Sequence, residues 1–214
     1  MSWRNWLGRR RPLPVNEQRW LVIDAETSGL DPHRDRLLAL AAVALRVDWT
    51  RKSVAIDPAD SFEVVLRQQQ GSSKDNILLH GIGVQSQLGG LPAAQALAAF
   101  AAFIGDSPLL AFHAGFDREL LARYAQNELG QAWPNPWGDI EHLCAVTHEK
   151  VPARSLDEWL AHFGLACTHR HQAAADAMAE AELLLRVWPR VAAQCRNWRD
   201  VQQLATHQDW LRRQ

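Results

Sequence analysis

The chain has 214 residues, of which 47% are hydrophobic and 22% charged, and its formal net charge is −1. That length suits one domain with a real core, the composition argues against disorder, and a near-neutral chain has no global positive field to draw it onto nucleic acid. A nucleic-acid enzyme of this composition needs a local basic patch instead. Cys144, Cys167 and Cys195 form neither a disulfide framework nor a zinc spacing, which points to a reducing cytoplasm. No run reaches the ~18 apolar residues that span a bilayer, so no membrane role is expected.

Residues 1–19 form a basic extension: Arg4, Arg9, Arg10, Arg11 and Arg19 face one acid, Glu17, with Trp3, Trp6 and Leu7 interspersed. Such a leader can touch DNA, a partner protein or a membrane surface, or simply pack its tryptophans on the domain. The tryptophans of the chain have no period and read as packing residues. Residues 20–25 (WLVIDA) predict a short aliphatic strand ended by a turn at Ser28-Gly29 and Asp31-Pro32. Residues 37–47 (LLALAAVALRV) suit a long central strand. Residues 53–56 and 61–66 would follow it as two strands of a meander or hairpin. Residues 68–90 are polar and glycine-rich and predict a loop with one short helix around Leu79-His80-Gly81-Ile82.

A helix is expected over 92–104, with Pro92 at its first turn and Gly105 at its end. Residues 108–112 (PLLAF) predict another buried strand, 117–129 an amphipathic helix stopped by Gly130, and 133–138 a turn-rich connection. Ser155 with Glu158 three residues on is a capping box opening a helix over 155–163. An alanine- and leucine-rich helix over 173–187 and one or two further turns complete the chain. Strands first, then alternating helix and strand, predict an α/β domain with a mixed sheet covered by helices. The expected division is a basic extension over 1–19, a main domain over 20–190 and a helical tail over 191–214.

Four acids stand out. Asp24 and Glu26 are two apart on an extended backbone, so both carboxylates share one face. Two like charges there repel, and a divalent cation is the usual compensation; capping or turn roles remain an alternative. Asp117 sits where a strand ends and a helix begins, a position that also suits a helix N-cap. Asp176 lies among alanines in AAADAMAEA, where an acid packed against a sheet wants a partner or a metal. His171, five residues earlier, would not share a helical face with Asp176 and is expected on the loop feeding that helix. The run Thr168-His169-Arg170-His171 also fits a phosphate-contacting loop.

DAETSGL (24–30), HAGFD (113–117) and HQAAAD (171–176) resemble, in this order, the three motifs of the DEDDh 3′→5′ exonucleases, the DnaQ-like family. Leu79-His80-Gly81-Ile82, Asp139 and Ser155-Leu156-Asp157 resemble lesser segments of the family, and the resemblance spans about residues 20–188. It departs at Phe112-His113, where a His-Asn pair is usual, and at Ser28, where a second Thr is common. The resemblance implies a ribonuclease H-like α/β fold, a mixed five-stranded sheet flanked by helices. It further implies two divalent ions, Mg²⁺ or Mn²⁺, held by Asp24, Glu26, Asp117 and Asp176, with Asp24 bridging. His171 is then the general base, and Thr27, Leu30, His80 and Phe116 contact the terminal nucleotide.

The implied activity is release of nucleoside monophosphates from 3′ ends of DNA, single-stranded or mismatched. Three alternatives stay open: a proofreading subunit of a DNA polymerase, a 3′→5′ exonuclease acting on RNA or oligoribonucleotides, and an inactive nucleic-acid-binding module. The expected partners are DNA 3′ ends, RNA as an alternative, and a polymerase or other protein docking on the N-terminal extension.

Overall fold

The computed structural model describes residues 15–211, with side chains described through residue 206. Residues 1–14, which carry four of the leader's arginines, lie outside the described residues, and so do the readings attached to them. Strands β1 Arg19–Thr27, β2 Leu37–Asp48 and β3 Ser53–Val65 form an antiparallel meander. Strands β4 Leu109–Ala111 and β5 Trp137–Asp139 add in parallel on the other side of β1, giving the order β3-β2-β1-β4-β5. Helices α1 Lys74–His80, α2 Val84–Gly89 and α3 Ala93–Ile104 lie between β3 and β4 in the chain, and α4 Ala114–Leu129 joins β4 to β5. Helices α5 Ile140–Thr147, α6 Leu156–Phe163, α7 Ala173–Gln194 and α8 Trp198–Leu211 follow.

The central strand explains the layers. Trp20 and Val22 enter one core with the apolar faces of α5, α6, α7 and α8, while Leu21 and Ile23 enter a second core under α3 and α4. All four side chains are fully buried, which is the period-2 alternation of a strand covered on both faces. Each such side chain contributes about 1.5–3 kcal/mol relative to exposure. Around Trp20 the rings of Trp49, Trp188 and Trp198 pack with centroids 4.7–5.8 Å away, so these tryptophans are packing residues as expected. Asp24 and Glu26 share the parity of Trp20 and Val22, and therefore emerge on the α7 side of the sheet.

Five expectations need correction. The two strands expected over 53–56 and 61–66 are one strand, β3, with a register shift where Ser61 pairs Val43 and Asp57 pairs Ala44; Pro58, which has no N–H to give, falls in that irregularity. The connection over 133–138 contains β5, and an unanticipated helix, α5, starts straight after it. The loop over 68–90 holds two short helices rather than one. Helix α4 starts at Ala114, so Asp117 lies inside its first turn and is not its cap. Helix α7 runs on to Gln194 past Pro189, which is exposed and loses its one hydrogen bond on the solvent side. The capping box at Ser155 and Glu158 is present in full, satisfying N–H groups that the first turn of α6 leaves free. Among the described residues no helix is long and apolar enough to cross a membrane.

Candidate active site

The site forms where β1 leaves the sheet. Between Glu26 and Thr27 the β1–β2 register slips by one residue, a bulge that turns the strand end and its side chains away from regular pairing. Ligand atoms of Asp24, Glu26 and Asp176 lie within 4.8 Å of one another. Helix α7 delivers Asp176 and helix α4 delivers Asp117, each from its first turn, where the exposed N–H groups and the helix dipole favour a negative charge. Glu26, Asp117 and Asp176 are 4–6% exposed.

Burial, then repulsion from Asp117, Glu26 and Asp176, holds the Asp24 carboxyl well above the ordinary carboxylate range, with Arg170 pulling in the opposite direction. Burial pushes Asp117 up to about 8, eased by its main-chain hydrogen bond and reinforced by Asp139 and Glu26. These groups bear a crowded negative charge that a cation would relieve. The donor set is entirely oxygen, as a hard divalent ion requires.

Two histidines stand in left-handed backbone conformation, His113 with φ 59° and His171 with φ 64°, a region uncommon for any residue but glycine. His113 precedes α4, and His171 turns the 168–172 loop into α7. The His171 N–H donates to Asp176 Oδ2 at 2.8 Å, so the turn that presents the imidazole is fastened to the acid. His169 is exposed and linked to Thr168.

Of the residues expected to hold substrate, Thr27 is buried, donating its hydroxyl to Gly29 O and accepting Asn76 Nδ2 at its carbonyl. His80 forms an ion pair with Glu26 and stacks edge-on to His171, with ring centroids 6.3 Å apart. Burial alone would lower its pKa, but Glu26 and main-chain hydrogen bonds with His171 and Thr27 outweigh it and raise it. Phe116 packs half-buried against the α3–α4 core. Leu30 is 92% exposed on a loop held by Asp35, which accepts Ser28 Oγ at 3.0 Å and Asp31 N–H at 2.8 Å. A Cβ at Gly29 would lie 2.5 Å from Asp35 Oδ2, so any larger residue there would have to displace the carboxylate that braces the loop.

Two further carboxylates shape the site: Glu180, which sequence reasoning missed, and Asp139, which it placed only in a lesser segment of the family resemblance. Glu180, 2% exposed, accepts the Phe112 N–H at 2.9 Å, and burial with repulsion from Asp24 and Asp117 raises its pKa well above the ordinary value. Its signal was the four-residue step from Asp176, which puts both on one helical face. Asp139 accepts the Ala114 N–H at 2.9 Å through one oxygen and the Glu141 and His142 N–H groups through the other. It thus caps α4 from outside and α5 from within. Asp139, Glu141 and His142 form a second acid–histidine group, in which Asp139 is committed to these caps.

A sheet of this order, with its acids gathered beyond the central strand, defines a ribonuclease H-like domain. E. coli exonuclease I shares the fold: in complex with a dA16 oligonucleotide it matches with a TM-score of 0.64 at 17% identity, covering 83% of this chain and 44% of that one. Its zinc-bound complex with single-stranded DNA gives 0.64 at 17%, covering 83% and 43%. A model of the RNase_T exonuclease family matches residues 21–184. The chain therefore belongs to that family, the DnaQ-like DEDDh 3′→5′ exonucleases.

Among its relatives, the PolC-type DNA polymerase III of Thermotoga maritima is 26% identical over 167 residues, which are 78% of this chain and 12% of the polymerase. The DNA polymerase III subunit epsilon-like protein of Rhodobacter capsulatus is 29% identical over 184 residues, 84% of this chain and 25% of that protein. The chain thus spans a quarter or less of these relatives' length.

Proposed function

We propose that the chain is a 3′→5′ exonuclease that hydrolyses the terminal phosphodiester of single-stranded or mismatched DNA and releases nucleoside monophosphates. The observation that carries this reading is the convergence of Asp24, Glu26 and Asp176 within 4.8 Å, with Asp117 close enough to raise the Asp24 pKa and His171 on the adjoining loop. Asp24, Glu26, Asp117 and Asp176 would hold two divalent ions, Mg²⁺ or Mn²⁺. Such ions, when bound, acidify water and neutralise charge on the transferring phosphoryl group.

The chain's own residues do the rest. His171 takes the proton of the attacking water, a role suited to imidazole near neutral pH, and its loop is held in register by the N–H bond to Asp176. Leu30, presented on a braced loop, stacks on the terminal base, and Thr27 and Phe116 line the nucleotide's path. His80 acts through Glu26 and the His171 loop, orienting both. The setting proposed for this reaction is the cytoplasm.

Incubation with Mg²⁺ or Mn²⁺ and end-labelled single-stranded DNA, mismatched duplex DNA and RNA tests the proposal. Stepwise loss of 3′ nucleotides from DNA is expected, fastest on the single strand. No metal-dependent digestion of any substrate would leave a binding module instead. The polymerase relatives favour a second reading, that the domain edits for a DNA polymerase. Stable co-elution with a polymerase catalytic chain and preference for a mismatched primer terminus are the outcomes that reading requires.

A further inference from the structure

Asp176 is engaged on both oxygens by the loop before it. Its Oδ2 accepts the His171 N–H at 2.8 Å, while Oδ1 is paired with Arg170 Nη1 and lies 3.6 Å from Cys167 Sγ. The same guanidinium reaches outward: Arg170 Nε donates to Asp157 Oδ1 at 2.6 Å, in the first turn of α6. Arg170 is a half-buried bridge, its side chain 24% exposed, between a nearly buried acid at 6% and an exposed one at 67%. It is also the cation that pulls against the raised pKa of Asp24.

We infer that Arg170 is the protein's own counter-cation for the acid cluster, and that it exchanges with divalent metal by releasing Asp176 while keeping its bond to Asp157. The inference rests on the metal-site reading above and assigns Arg170 and Asp157 as positioning residues that set metal affinity. The physics is competition. A guanidinium and a divalent ion cannot both sit against one carboxylate oxygen without repelling each other strongly at contact distance. Arg170 therefore stabilises the cluster without metal and opposes metal entry. Asp157 gives it a second partner on the solvent side, so the arginine need not leave the site uncompensated, and its planar fork allows one nitrogen to stay bonded while another lets go.

The 214-residue chain and its Arg170→Gln, Arg170→Lys and Asp157→Asn variants would be titrated with Mn²⁺ by calorimetry, and their melting temperatures read in EDTA and in saturating Mn²⁺. Asp157→Asn, which removes the partner Arg170 keeps when it lets go of Asp176, should weaken Mn²⁺ binding, and Arg170→Lys should tighten it slightly; Arg170→Gln should tighten it on the order of tenfold. Its melting temperature should fall in EDTA, and that deficit should close when Mn²⁺ is added. A purely structural arginine would lower the melting temperature equally in both conditions and leave Mn²⁺ affinity unchanged or weaker; either result overturns the inference while leaving the metal site standing. Absence of Mn²⁺ binding by the unmodified chain overturns the metal site and the inference together.

Discussion

The two ends of β1 treat charge in opposite ways. At its start, Arg19 grips Asp60 through two nitrogens at 2.7 and 2.8 Å and Ser107 through the third at 2.8 Å, and Arg46 adds a second cation on Asp60 at 2.8 Å. The Arg19 hydrogen bond holds the Asp60 carboxyl below its ordinary value despite some burial. Eight residues later the same strand ends among Asp24, Glu26, Asp117, Asp176 and Glu180, where burial and like charges push the carboxyls of Asp24, Asp117 and Glu180 up. One end is arranged for stability. The other accumulates a repulsion that lowers stability and that Arg170 offsets only in part, which is how functional sites commonly differ from structural ones.

The largest test of that contrast is removal of an acid at the crowded end. Asp24→Asn or Asp117→Asn should reduce exonuclease turnover by ~10³-fold or more, because each would remove a ligand whose charge the chemistry needs. The melting temperature in EDTA should hold, since burial favours the neutral carboxyl at both positions and an amide replaces it without adding charge. A fall of several degrees there would mean these acids stabilise the fold and would break the distinction between the two ends. His171→Ala should reduce turnover by ~10²–10⁴-fold with Mn²⁺ affinity nearly unchanged, whereas His169→Ala should change little. The reverse pattern in kinetic assays would reassign the base.

Next in size is a pH effect. Asp117 has an ordinary pKa of 3.8 and is pushed up to about 8 in the fold. Between those values the folded chain holds a proton that the unfolded chain has lost, so stability without metal should fall as pH rises through that window and level off above it. Divalent ions must displace that proton. Melting curves in EDTA from pH 5 to 9 should therefore decline, and Mg²⁺ binding measured in buffers of different ionisation heat should show proton release that shrinks above pH 8. A flat profile with no proton release would show that Asp117 is already ionised.

Much of this was legible in the residues, for identifiable reasons. The aliphatic run before Asp24, the i, i+2 spacing to Glu26 and the capping box at Ser155 are local signals, and the fold keeps each of them. β5 carries no signal of its own: three residues, Trp137–Asp139, become a strand only because β4 offers a parallel edge. β3 looks like two strands because Pro58 and Asp60 interrupt its pattern, yet the partner strand holds it in one piece across the irregularity. Arg170 and Asp157 are 13 residues apart across a loop, and no periodicity predicts their meeting or the role of Asp176 in joining them. Helix α7 sets that geometry through tertiary packing on β1 and β2.

The smallest effect belongs to the balanced end. Asp60 is 22% exposed at its side chain, so its network with Arg19 and Arg46 is partly screened and contributes about 1 kcal/mol. Asp60→Asn should lower the melting temperature at pH 7 by ~2–4 °C for a chain of this size, with metal-dependent activity intact. Because the folded carboxyl titrates below its ordinary value of 3.8, the stabilisation is fully present above that value and is lost as pH falls through the folded value. The difference between wild type and variant should therefore persist from pH 7 to pH 5 and close below about pH 4, with high salt narrowing it at neutral pH. A difference that survived acidification would locate the Asp60 contribution in packing or neutral hydrogen bonds, and the two ends of β1 would no longer be distinguished by how they compensate charge.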